Sequence, residues 1–214
     1  MLMKKEIVCV AFGLVIGLPA LADGGNVWKI DPMHSDAHFS VRHLMISNVD
    51  GDLGHITGTV NYDGKDLKKA NVEASIDVNT INTREEKRDG HLKSPDFFDS
   101  AKFPSITFKS TKIEPSSADT FKMTGEVTIH GVSKEVVLDG EITKPIKDPQ
   151  GNPRMGASAT AKLNRKDFGL KFDKKLDDGN AIVGDDVKIK LDLELTQPKV
   201  ASTENGASKD TASK

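Results

Sequence analysis

Cysteine is almost absent. Cys9 is the only one among 214 residues. A disulfide framework, a Cys-rich zinc site and a cysteine nucleophile in the folded body are thereby excluded, since Cys9 falls in a leader described below. Aromatic residues are scarce at 5%. Charge of one sign is also missing: 30 Lys and Arg face 32 Asp and Glu, a formal net charge of -2. A generic nucleic-acid binder needs a basic excess to release counterions, so nucleic acid is not an expected partner. Phosphate-cradling glycine loops and an HExxH zinc motif are absent too. Gly156-Ala157-Ser158-Ala159-Thr160 approximates a nucleophile elbow but ends in Thr and sits within a strand pattern.

Long apolar runs are lacking as well. The longest is Ile7 to Leu18, preceded by Lys4 and Lys5 and followed by Pro19-Ala20-Leu21-Ala22. A dozen residues at ~1.5 Å each fall well short of a ~30 Å hydrocarbon core. Residues 1–22 therefore read as a cleaved secretory signal peptide, with no stable membrane anchor afterwards and a periplasmic destination. Losing Lys4, Lys5 and Glu6 would move the charge from -2 to -3. Residues 198–214 are Ser, Thr, Ala, Lys, Asp and Gly with little apolar content, and read as a disordered tail. One domain is expected over 23–197.

What is present is period-two alternation, the pattern of strands with one apolar face. Val72-Ala74-Ile76-Val78, Phe121-Met123-Gly125-Val127-Ile129 and Val187-Ile189-Leu191-Leu193-Leu195 are the clearest rows. Weaker rows occupy 36–43, 55–62, 105–113, 132–143 and 154–163, with a short one at 27–30. Asp63-Gly64, His130-Gly131, Asp148-Pro149-Gln150-Gly151-Asn152 and Asp178-Gly179-Asn180 supply turn chemistry. Asp139-Gly140 lies within an alternating row and suggests a bulge. Thr83-Arg84-Glu85-Glu86 has capping-box spacing, predicting a helix to about Leu92. Ser94-Pro95-Asp96-Phe97-Phe98 predicts a further helical turn capped by Ser94.

About eight amphipathic antiparallel strands suit a sandwich or a closed barrel. Low aromatic content and the small inward row Met155-Ala157-Ala159-Ala161-Leu163, with Ala74 and Gly125, favour a barrel with a cavity. The six histidines are His34, His38, His43, His55, His91 and His130. His34 and His38 share strand parity and His43 does not, so one strand cannot converge all three on a metal. No catalytic residues and no metal are assigned.

From residue 28 to about 196 the chain resembles the YceI family. The matching pieces run in order. They begin with Trp28-Lys29-Ile30-Asp31, His34-Ser35 and Phe39-x-Val41-x-His43. Thr83, Arg88-Asp89-Gly90-His91-Leu92-Lys93-Ser94 and Asp96-Phe97-Phe98-Asp99 follow. Then come Phe103-Pro104-x-Ile106-x-Phe108-x-Ser110-Thr111, Gly125 to Gly131, Asn164-Arg165-Lys166-Asp167-Phe168-Gly169 and Val183-Gly184-Asp185-Asp186-Val187. The resemblance implies an all-β, antiparallel, lipocalin-like barrel of about eight strands with a short helical insertion. It also implies a periplasmic protein whose apolar pore holds an isoprenoid lipid, of polyprenyl or quinone type, and no other cofactor. The expected wall is Phe39, Val41, His43, Phe108, Phe121, Met123, Ala157, Ala159 and Phe168, with Phe97 and Phe98 closing one end. Arg42, Arg88, His91 and Arg165, beside His43, are head-group candidates. The competing role for each Arg is an ion pair with Asp89 or Asp167. Two other functions fit the same residues: a lipid-acting hydrolase or isomerase using His43 or His91 as base, and a dry-cored stress or interaction protein. A homodimer is compatible with the sequence.

Overall fold

The computed structural model describes residues 26–177 and 179–197. The leader expected at 1–22 and the disordered tail expected at 198–214 lie outside the described residues. Among the described residues, eleven strands form one antiparallel sheet. In chain order they are β1 (Val27–Ile30), β2 (Asp36–His43), β3 (Ser47–Asp52), β4 (His55–Asn61), β5 (Asn71–Asp77), β6 (Ser105–Pro115), β7 (Thr120–Ile129), β8 (Val132–Ile142), β9 (Ile146–Lys147), β10 (Pro153–Asn164) and β11 (Val183–Thr196). One helix, α1 (Glu86–Lys93), falls between β5 and β6.

The sheet closes on itself through β11. One edge of β11 pairs with β10 along its length, from Arg154↔Thr196 to Asn164↔Asp186. Its other edge is shared: β2 takes the first part, with Val41↔Val187 and Ala37↔Leu191, and β1 takes the end, with Ile30↔Leu195. β1 then pairs with β4, and the ring continues through β5, β6, β7 and β8 to β10. Counting β1 and β2 as one stave, this is a closed eight-stranded antiparallel barrel. β3 lies outside it, paired with β2.

Alternation places each row. Trp28, Ile30, Ile56, Val60, Ile76, Phe121, Met123, Val127, Ile129, Leu138, Ile142, Met155 and Leu195 are buried inside, while the intervening Lys, Glu and Thr face water. His130 and Gly131 close β7 to β8 as a two-residue turn, both with positive φ (52° and 74°), the twist that such a hairpin requires.

Several local expectations are corrected. The ladder of β7 and β8 runs unbroken through Lys122↔Asp139 and Phe121↔Gly140, so no bulge occurs at Asp139-Gly140. Gly140 serves packing instead: a Cβ there would stand 2.4 Å from the Phe121 ring. The irregularity lies on β6, between Ser110 and Lys112. It switches the inward parity from Ile106 and Phe108 to Ile113. Thr83 does not cap α1, because its N–H and Oγ1 both donate to Asp89 Oδ1, and Arg84 reverses the chain at φ 63°. Glu85 caps the helix, accepting from the N–H groups of Lys87 and Arg88. The turn expected after Ser94 is present at 95–98, and Ser94 serves both sides of it: its N–H and Oγ donate to the His91 carbonyl, ending α1, while its Oγ accepts from the Asp96 N–H. The sequence reading also omitted β3 and β9.

Candidate functional site

The interior is not filled. β11 shows it best. Val187, Ile189, Leu191 and Leu193 point inward and touch the core, yet are only partly buried, because they also border a cavity. The cavity measures about 180 Å³. Ile30, Ile56, Val72, Ile106, Ile113, Val127 and the β11 row line it, and the few polar groups are Tyr62, Thr107, Ser158 and Arg165. Along β11 the lined stretch from Val187 to Leu195 runs ~26 Å, or ~20 Å along a barrel axis tilted ~40° from the strand.

Two devices keep the space open. One wall is narrow: Ala157, Ala159 and Ala161 follow one another on β10. The second uses glycine to seat rings. A Cβ on Gly125 would lie 2.4 Å from Phe108 Cζ, and one on Gly140 as close to the Phe121 ring. Bare backbone at these two positions lets each phenyl lie against the sheet instead of crossing the lumen. Tyr62 is at the far end, near Leu67 and Ala70. Burial raises its phenol pKa, aided by Asp63 and Asp66, so the hydroxyl stays neutral.

A second chamber of about 250 Å³ adjoins the first. Leu53, Phe98, Arg165, Leu170 and Val187 line both. It lies between the ends of β2 and β3, α1 with its following turn, and the 170–183 segment. Phe97 and Phe172 stack at 4.8 Å, and the His91 ring meets both edge-on at 5.0 and 5.2 Å. The chamber reaches solvent beside Arg42 and His91, both exposed.

The structure brings all fifteen sequence-predicted site residues to these two spaces. Phe108, Phe121, Met123, Ala157, Ala159 and Phe168 line the inner chamber. Phe39, Val41, His43 and Phe97 line the outer one, and Phe98 lines both. Arg42, Arg88 and His91 gather at the outer chamber, with Arg165 between the two.

The guanidinium groups are already engaged. Arg165 is 5% exposed. Its Nη1 donates to the Leu170 carbonyl (2.6 Å), Nε to that of Gly184 (2.9 Å), and Nη2 to the Val183 carbonyl (3.3 Å) and to Asp185 (2.9 Å). Its acid is thus Asp185, not the neighbouring Asp167, and its main task is to staple the 170–185 segment. Arg88 donates to Oγ1 and the carbonyl of Thr83, both at 2.7 Å, and reaches Asp89 only through Thr83. Arg42 donates to the Met45 carbonyl (2.7 Å) and to Asn48 Oδ1 (3.4 Å).

Three of the six histidines pair with carboxylates: His34 with Asp31 at 2.9 Å, His91 with Asp96 at 3.0 Å, and His38 with Asp52. Among the described residues none is hydrogen-bonded to a hydroxyl. Asp31, His34 and Glu194 form the one group with metal-ligand spacing among the described residues. Arg154 already sits there, bonded to Asp31 at 3.1 Å, to Glu194, and to Asp148 at 3.1 Å. A guanidinium among three carboxylates supplies the compensating charge itself.

Sequence reasoning missed Leu53, Leu170, Phe172 and Ile182 as lining residues. Phe172 and Ile182 lie in an irregular stretch without periodicity, so only their isolated apolar character in a polar segment marked them. It read the β11 row as strand but not as wall.

Known proteins are similar along most of the chain. The YceI-like domain family matches residues 28–195. A UPF0312 protein of Vibrio cholerae serotype O1 is 31% identical over 171 residues, 79% of this chain and 90% of the relative. A UPF0312 protein of Staphylococcus aureus is 34% identical over 170 residues, 79% of this chain and 96% of the relative. The crystal structure of a Campylobacter jejuni YceI protein superposes with a TM-score of 0.64 at 32% identity, covering 74% of this chain and 90% of that one. A Saccharophagus degradans domain, described as polyisoprenoid-binding, has a TM-score of 0.61 at 14% identity, with 80% and 98% coverage; that likeness is one of fold alone.

Proposed function

Because the chain belongs to the YceI-like family, we propose that it is a binding and carrier protein that encloses the tail of a long isoprenoid lipid, of polyprenyl or quinone type, in the barrel. The observation that carries this reading is the pair of adjoining chambers, the inner one walled mainly by apolar side chains, with Arg42, Arg88 and His91 gathered at the outer one. Each isoprene unit carries five carbons, and withdrawing them from water contributes about 4 kcal/mol. No directional bond is needed, so the chamber selects by width and depth. An apolar space of ~180 Å³ left empty costs about 4 kcal/mol at ~24 cal/mol per Å³. That strain is relieved when a tail enters. The polyisoprenoid-binding description of the S. degradans domain supports the same class of ligand on a shared fold. Residues 1–22 support a periplasmic setting, where a lipid tail needs shelter between membranes.

Mild organic extraction of the purified protein, with native mass spectrometry before and after, tests the proposal. A bound mass that extracts as an isoprenoid and rebinds is the expected result. Protein that yields no apolar ligand and takes up no added polyprenyl lipid would sink it.

A further inference from the structure

We infer that the tip joining β2 to β3, Leu44-Met45-Ile46, is where the protein touches an anionic phospholipid surface. The inference rests on the carrier reading above, since it assigns the entrance through which a tail is loaded.

Three observations point to it. First, the tip is strained in a way its sequence need not be. Leu44 and Met45 both adopt left-handed φ, 50° and 60°. Gly or Asn takes that conformation at lower cost, and bulky residues are rare there. Keeping Leu and Met in the turn indicates that the side chains matter more than the backbone.

Secondly, those side chains serve no packing role sufficient to explain them. Ile46 is 78% exposed and Met45 47%. Leu44 is held beside the 170–182 segment, its N–H donating to the Ile182 carbonyl at 2.8 Å. Leu176, on that neighbouring segment, is also exposed.

Thirdly, the tip sits at the chamber entrance and carries the right charge. Arg42 and His43, immediately before it, line the outer chamber, as does Val49 just after. Between Arg42 and Val49 there is no acid. Arg42 forms no ion pair among the described residues; it braces the turn through the Met45 carbonyl. Lys174 and Lys175 lie exposed on the adjoining segment, where Asp173 is held by Lys166 and Asp177 is the remaining described carboxylate. An apolar pair projecting ahead of a guanidinium is the arrangement that enters the headgroup boundary of an anionic leaflet. Two side chains of this size give weak, reversible attachment, suited to a carrier that must leave again.

Flotation with vesicles of phosphatidylglycerol and phosphatidylethanolamine tests it. The double variant Met45→Asn, Ile46→Ser removes the apolar pair, and Asn tolerates the left-handed turn, so folding is preserved. Met33→Ser is the control: Met33 is 84% exposed and precedes β2, whose opposite end bears the tip. The expected result is at least a tenfold loss of vesicle partition for the double variant, with Met33→Ser like wild type. Equal flotation of the double variant, or an equal loss in Met33→Ser, would overturn the assignment. So would a tip-dependent dimer in sedimentation without vesicle binding. Native mass spectrometry separates the two readings. Tip-dependent flotation of a protein that never holds lipid leaves the tip assignment standing and removes the carrier reading.

Discussion

Filling the lumen gives opposite outcomes at two positions that face each other across one ladder, Ala159 and Gly140. Ala159→Leu adds three carbons to a wall that borders free space. Burying them contributes about 2.4 kcal/mol, less ~0.5–1 kcal/mol for ordering the new rotamer. The lipid-free protein therefore gains ~1.5–2 kcal/mol, a rise in melting temperature of ~3–8 °C for a domain of this size. The same three carbons occupy space that a tail would use, so affinity for a polyprenyl lipid falls ~50-fold. Gly140→Ala adds one carbon and does the reverse, because its Cβ meets the Phe121 ring at 2.4 Å. Ring displacement costs ~1–3 kcal/mol, and the melting temperature falls. The assay is thermal unfolding of delipidated protein, with lipid stoichiometry by native mass spectrometry. If Ala159→Leu lowers the melting temperature of the delipidated protein, the space beside it is not available, and the reasoning fails. Ala159→Trp carries the same logic to its end, with no lipid retained while the barrel still folds.

Other consequences can be measured separately. Asp148 is held at a pKa of about 2, first by the Asn152 side chain and then by backbone N–H groups and Arg154. A depressed carboxylate stabilises the fold above its unfolded value near 4 and loses that contribution as pH falls toward 2. Acid unfolding of Asp148→Asn should accordingly show a flatter pH dependence in that window; an unchanged profile would refute the assignment. Arg165→Met leaves the carbonyls of Leu170, Val183 and Gly184 without their donor, a loss of ~3 kcal/mol or more. Hydrogen exchange in 170–185 should accelerate ahead of the rest of the barrel, and uniform acceleration would argue against a local staple. Removing bound lipid should lower the melting temperature, by an amount that grows with the logarithm of ligand concentration on titrating it back.

The barrel was legible because its strands keep one face dry. Rows such as Phe121-Met123-Gly125-Val127-Ile129 admit only one orientation once the opposite face is charged. β3 escaped detection because Ser47-Asn48-Val49-Asp50-Gly51-Asp52 has no apolar row; it lies outside the ring and needs none. The capping box at Thr83 was a false signal for a different reason. Asp89, six residues on, competes for both Thr83 donors and wins, and local spacing cannot reveal a partner brought round by the helix itself. Wall residues were recoverable where parity was clear and hidden where it broke, as after the register shift at Ser110/Lys112. Phe172 was invisible because its role depends on meeting Phe97, on a turn remote in sequence. The predicted ion pairs failed similarly: Arg165 reaches Asp185 through folding, not through nearness along the chain.

The double duty of β11 has a consequence for how the molecule is made. Until that stave exists, β10 on one side and the β1/β2 stave on the other have no common neighbour, and the cylinder is an open trough. The gap therefore shuts last, by joining stretches as far apart as Ile30 and Leu195, 165 residues along the chain. A chain emerging from one end passes through a stage in which its oily lining is laid bare along a seam. Whatever guest is present then can be wrapped rather than threaded, and a truncation before β11 should leave sticky half-cylinders instead of a smaller vessel.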